Sequence, residues 1–113
     1  MATTTFKSTL ISKGTLQTIW TITGTNDGQP ESPQQYYRRS VQVTGTFGGG
    51  TILIEGSDDG GTTWSTLSDY QGVALSFTAA GIKPIQELTQ LIRPRASIAV
   101  TSCVVTLVSL RSS

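Results

Sequence analysis

One stretch limits the folds open to this chain more than any other. It runs from Val41 to Trp64 and reads VQVTGTFGGGTILIEGSDDGGTTW. Val41, Val43, Gly45 and Phe47 fall on one face of a ribbon with a two-residue period, and Gln42, Thr44 and Thr46 fall on the other. Gly48, Gly49 and Gly50 then reverse the chain, because glycine alone takes a positive φ without steric cost. Thr51 to Glu55 returns with Ile52 and Ile54 on one face and Leu53 on the other, the pattern of a strand covered on both sides. Ser57 to Gly61 makes a second reversal and delivers Trp64. The stretch predicts an antiparallel meander.

The same signals recur along the chain. Thr15 to Thr23 is a strand with Leu16, Trp20 and Ile22 on one face. Residues 24–39 form a long loop with two prolines and the turn signal Asn26-Asp27-Gly28, closed by Tyr36, Tyr37, Arg38 and Arg39. Trp64 to Ser68 reads as a short strand. Val73, Leu75 and Phe77 alternate with smaller residues as another. Pro84, inside Ile82 to Leu91, predicts one short helical turn. Leu91 to Ala96 is a strand carrying Arg93 and Arg95 on one side, and Pro94 places it at an edge or a bulge. Cys103 to Arg111 closes the chain as an internal strand. The fold class is therefore all-β: an antiparallel β-sandwich or jelly-roll-like single domain over residues 14–113. Residues 1–13, anchored by Phe6, Leu10 and Ile11, are an N-terminal arm or an edge strand.

Composition enters where partners are concerned. Only 13% of the 113 residues are charged, roughly half the usual share for a soluble domain. Thr, Ser, Gln and Gly take their place, which suits a subunit covered by neighbours. A net charge of +1 gives no electrostatic case for nucleic acid or membrane. The first residues lack the basic start and apolar core of a secretory signal, and no apolar run approaches the ~20 residues of a membrane span. The single cysteine, Cys103, beside Val104-Val105, reads as a small buried hydrophobe in a protein made in a reducing cytoplasm.

Chemistry is sparse. No histidine is present, which removes the commonest general base and metal ligand. The acids are Asp27, Glu31, Glu55, Asp58, Asp59, Asp69 and Glu87, most of them in turns, where Asp serves local backbone hydrogen bonds. Glu55 with Asp58 or Asp59 could be drawn as the facing pair of a glycosidase, but the hairpin already accounts for them. Asp58-Asp59 lacks the spaced ligands of a calcium loop. The chain is expected to be no enzyme, with no catalytic residue, cofactor or metal site. Arg38, Arg39, Arg93 and Arg95 are candidates for pairing with a partner's carboxylates, or else a solvated edge that resists strand pairing. Tyr36 and Tyr37, beside Arg38, are further interface candidates. Trp20 and Trp64 are assigned to the core.

Two resemblances add to this. Ser57, Asp59, Gly61 and Trp64 fit S-x-D-x-G-x-x-W, which resembles the Asp-box of sialidases and related β-propellers. There the box is a structural hairpin: Asp caps the turn, Gly bends it and Trp packs beneath. One copy in so short a chain implies the turn geometry and not a sialidase activity. More broadly, GTFGGGTILIEGSDDGGTTWSTLSD, GVALSFTAAGIKPIQE, LIRPRAS and VVTLVSLR, within Val41 to Arg111, look like small virion proteins of tailed bacteriophages. Some of those are β-sandwich decoration or cement proteins on the head. The resemblance implies a structural role in the virion and contacts with the major capsid protein or other virion subunits. It also implies a homo-oligomer, with a trimer expected. On this reading residues 1–13 and the 24–39 loop reach across subunit boundaries. The alternatives are a carbohydrate-binding β-sandwich, which needs exposed aromatics, and a head–tail or tail component of the same fold.

Overall fold

A computed structural model describes residues 3–12, 14–32, 36 and 38–110. In chain order the strands are β1 (Thr3–Thr4), β2 (Phe6–Ser12), β3 (Thr15–Gly24), β4 (Asp27–Gly28), β5 (Arg38–Thr46) and β6 (Thr51–Ser57). Then come β7 (Ser65–Thr66), β8 (Ser76–Phe77), β9 (Gly81–Ile85), β10 (Leu91–Ile98) and β11 (Val100–Leu110). They build two sheets. Sheet A has the order β1-β4-β10-β6-β7, with β8 also on β6; sheet B has the order β2-β3-β11-β5-β9. All pairings are antiparallel except the short β1–β4 contact, which is parallel. The inner faces meet in one core of alternating residues: Trp20 and Ile22 from β3, Val41 and Val43 from β5, Ile52 and Ile54 from β6, Val105 and Leu107 from β11.

The glycine run after Phe47 is a corner and not a hairpin. β5 pairs with β11 and β9, whereas β6 pairs with β10, so the two strands of the expected meander lie in different sheets. Gly48 and Gly49 turn the chain at φ 57° and 82°, and the Gly50 N–H closes the turn on the Phe47 carbonyl oxygen at 2.8 Å. A Cβ on Gly50 would lie 2.1 Å from the Ala99 carbonyl oxygen. Ala99 sits between β10 and β11, where the chain passes back from sheet A to sheet B, so these two corners pack against each other. Period-two alternation is the same for a hairpin and for a corner, which is why the pattern alone points to the wrong pairing.

The expected helical turn after Pro84 is absent, and no helix occurs among the described residues. Gly81 to Ile85 instead pairs along β5, with Ile85 buried and Ile82 exposed. Proline's fixed φ suits an edge strand as well as a helix start. Pro94 does not place β10 at an edge either, since β10 runs between β4 and β6. The Ile92 N–H donates to the Glu31 carbonyl oxygen and the Ala96 N–H to that of Asn26. By alternation the Pro94 nitrogen points to the same side, toward β4, which is only two residues long, so the missing donor costs a single position of a short ladder. Gly28 makes this approach possible: a Cβ there would lie 2.6 Å from Pro94 Cδ and 2.7 Å from the Trp20 ring.

Within the first thirteen positions, β2 is an edge strand of sheet B. Phe6 stands opposite Trp20 and meets its ring edge-on at 5.7 Å. Trp20 is buried, and its indole N–H donates to the Gln29 carbonyl oxygen. Phe6 of β2 and Gln29 of the 24–39 loop thus both meet Trp20.

Candidate functional site

Three features carry the charged and aromatic residues. The first lies on the outer face of sheet A. Glu55 on β6 stands opposite Arg93 on β10, and Leu53 stands opposite Arg95. Glu55 accepts from Arg93 Nε at 3.1 Å and from Arg95 Nε at 2.9 Å, while Arg93 reaches Asp27 at 3.0 Å with its other arm. The Glu55 side chain is 6% exposed, those of Arg93 and Arg95 17% and 30%. The Trp64 ring covers the Arg93 guanidinium at 4.1 Å, a cation–π contact. Arg93 and Arg95 do share one side, but their partners are carboxylates of their own chain. Trp64 is half-buried on this outer face and not in the core.

The second feature is the turn after β6. The Ser57 hydroxyl donates to Asp59 Oδ1 at 2.7 Å and accepts the Gly61 N–H at 3.0 Å. Asp59 Oδ1 also accepts the Thr63 N–H at 2.9 Å, and the Trp64 indole N–H donates to the Gly61 carbonyl oxygen. The Thr63 N–H and then the Ser57 hydroxyl hold the Asp59 carboxyl down at about 2. An open cleft of about 400 Å³ lies between this turn, β7 and residues 87–89, walled by Asp58, Thr63, Thr66, Glu87 and Thr89 among others. Burial raises the Glu87 pKa, but the hydroxyl and N–H of Ser68 outweigh it and bring the carboxyl below its usual range.

The third feature is the end of the sandwich where β5 begins. Arg38 and Arg39, adjacent in sequence, point to opposite faces. Arg38 is exposed, and Arg39 is buried, donating to the Thr89 carbonyl oxygen at 3.1 Å. Burial lowers the Arg39 pKa, and the charges of Asp58 and Glu31 oppose that shift. Tyr36 is half-buried; Tyr37 lies outside the described residues. Arg38, Arg39, Ser40, Tyr70, Pro84 and Leu110 line a smaller cleft of about 160 Å³ here.

All seven carboxylates of the chain accept hydrogen bonds within it, from Asp27 with Thr3 to Glu87 with Ser68. Glu55 looks outward to the arginines while Asp59 is tied into its own turn, so the two do not face one another across a cleft. Among the described residues no three acidic or cysteine side chains gather in a way that could hold a metal ion. No helix there is long and apolar enough to cross a membrane.

Sequence reasoning passed over the outer face of sheet B. No acidic residue lies in any of its five strands. Its outward positions run through Val104, Thr106 and Val108 on the central strand, with Ile19 and Gln42 on either side of Thr106. Lys7 and Arg38 stand at the margins. The signal was present as alternation in β3, β5 and β11, but joining those strands into one face needs the pairing.

Comparison with known proteins rests on structure. No protein-family model matches the chain, and no curated protein matches it in sequence. Among solved structures it is similar to the SPBc2 prophage-derived protein YomS, with a TM-score of 0.66 at 11% identity over 90% of this chain and 99% of that one. A cupin domain from Bordetella pertussis Tohama I matches at 0.55 and 11% identity, covering 95% and 92% of the two chains. Peruvianin-I, a cysteine peptidase from Thevetia peruviana latex, matches at 0.51 and 10% identity over 94% of this chain and 61% of that one. At these identities the likeness is one of fold: two packed sheets of the sandwich kind found in cupins and jelly rolls.

Proposed function

We propose that the chain is a non-enzymatic structural protein of a tailed-phage virion, a decoration or cement protein that binds the assembled head. The observation that carries this reading is the outer face of sheet B, five strands wide and free of carboxylates. Its centre alternates half-buried Ile19, Val104 and Val108 with Thr and Gln. Such a face offers area and hydrogen-bonding groups with little charge to desolvate. The fold shared with a prophage-derived protein supports a phage setting. The mechanism is mass action: a rigid domain that binds the assembled shell and not free subunits stabilises the shell by RT ln(1 + [L]/Kd). The protein is made in the host cytoplasm and ends in the virion, with virion subunits as partners and neither nucleic acid nor membrane.

The test is co-sedimentation with emptied heads, and separately with tails, of a tailed phage whose genome encodes the chain. Saturable pelleting with heads is expected, together with a higher melting temperature of the heads. Thr106→Lys should weaken it about tenfold or more by placing an unpaired charge at the centre of the face. Binding to tails alone would make the chain a tail component, and binding to neither would overturn the reading. The hydroxyl-lined cleft beside Asp59 favours a second reading, a carbohydrate-binding module. Against it, Trp20 is buried, and Trp64 is only half-buried on the outer face with one side of its ring taken by Arg93, which leaves a single ring face for a sugar. Saturable binding on a glycan array would restore it.

A further inference from the structure

We infer that the end of the sandwich around Arg38 is a self-association surface, on which a second copy of the chain docks across a two-fold axis. This goes beyond the head-binding reading and does not depend on it.

Four observations meet at this end. First, Arg38 is exposed and makes no ion pair among the described residues, whereas Arg93, Arg95 and Lys83 each pair with a carboxylate of their own chain. Second, apolar side chains flank it. Leu110 stands directly across from Arg38 on β11 and is 38% exposed, and Tyr70, at 63%, shares its cleft. Third, that cleft adjoins the one lined by Asp58, because Arg39 lines the first and hydrogen-bonds Thr89 in the wall of the second. Fourth, Leu88, between Glu87 and Thr89 beside the acidic cleft, is 52% exposed.

One end of the molecule therefore presents a cation with an apolar collar, immediately beside carboxylates with an exposed leucine. A partner of a single charge sign would be attracted by one half and repelled by the other. A second copy turned through 180° matches both halves at once, Arg38 facing the partner's acidic cleft twice over. Tyr70, Leu88 and Leu110 are then buried between the copies. Two complementary halves on one surface make an isologous contact, which closes as a dimer; a ring needs them on two different faces. The geometry thus favours a two-fold over the trimer that the virion resemblance implies.

The experiment is sedimentation equilibrium of the full chain from about 1 µM to about 1 mM, the range of weak to moderate self-association. A reversible monomer–dimer equilibrium is expected, reaching twice 12.0 kDa, and weakening several-fold when salt is raised from about 0.05 to about 0.5 M. Arg38→Glu and Asp58→Lys should each weaken it about tenfold, and an equimolar mixture of the two should restore the dimer. In that mixture one pair has the native sense and the other the reversed sense. Should Asp58→Lys disturb its bond from the Gln90 N–H, Tyr70→Ser, at an exposed loop position, carries the test on its own by the same loss of dimer. A trimer, a monomer throughout, or a dimer indifferent to salt and to all three variants would overturn the inference. A monomer that still pellets with heads would sink this dimer while leaving the head-binding reading intact.

Discussion

Replacing Glu55 tests whether the outer face of sheet A is held by its ion-pair network. Glu55→Gln keeps the shape and removes the charge that Arg93 and Arg95 share. Breaking a fully buried pair costs about 3–5 kcal/mol, and losing an exposed one about 0–1 kcal/mol. Glu55 is nearly enclosed, but Arg93 keeps Asp27 and Trp64, and Arg95 is 30% exposed and can turn to water. The loss should therefore fall between the limits, at about 2 kcal/mol. An unfolding entropy of about 2.1 cal/mol/K per residue over 113 residues gives about 0.24 kcal/mol/K, so the melting temperature should fall by about 8 °C. Arg95→Met removes one bond from a more exposed partner and should cost about 0.5–1 kcal/mol, or about 2–4 °C. Differential scanning calorimetry of both variants and their double mutant checks the values. In the double mutant the costs should fall short of additive by about 0.5–1 kcal/mol, because the two groups touch. A drop of less than about 2 °C for Glu55→Gln would refute the reasoning and place the network among ordinary surface charges.

The remaining predictions concern the turns and the core. Asp59 has a folded pKa of about 2, below the unfolded value of about 3.9. Its contribution is thus fully present above pH about 4 and is lost as pH falls towards about 2; melting curves of Asp59→Asn and the native chain should converge across that window. Gly50→Ala drives a Cβ into the Ala99 carbonyl at the packed corners and should cost about 3 kcal/mol. Gly49→Ala has open space around it and should cost only the left-handed backbone strain of about 1–2 kcal/mol, so denaturant midpoints that rank the two in reverse would disprove the corner packing. Cys103 is fully buried, and burial pushes its thiol pKa up, so a disulfide reagent should label it only as fast as the chain unfolds.

Much of the architecture was legible because it depends on local pattern. The inward faces of β3 and β5 are those that alternation marks, down to Trp20, Ile22, Val41 and Val43. What was not legible depends on pairing between distant residues. Whether Gly48 to Gly50 is a hairpin or a corner turns on the contact with Ala99 about fifty residues later. Pro84 suits a helix start and an edge strand equally, and only the partner β5 decides. The candidate site shows the same division. That Arg93 and Arg95 share a face follows from their spacing, whereas their carboxylates stand 66 and 40 residues away and are fixed by register alone. Trp64 follows suit: a tryptophan after a glycine turn looks like core until Arg93 is placed beneath it.

The distribution of charge ties these strands of argument together. A chain with 13% charged residues has few groups with which to stay soluble. Here its carboxylates are turned to internal work, in turns, in the Glu55 network and against Ser68 and Thr18. None is left to protect the outer face of sheet B, whose marginal charges are both positive. A free-standing monomer under selection for solubility would carry mixed charge across so broad a sheet, and would guard its edges in the same way. The guard does appear on the open edge of β9, where Pro84 and Lys83 discourage strand addition, but not on the face beside it. Protection against edge pairing combined with a neutral face fits a surface whose contacts run through its side chains and not through its strand edges.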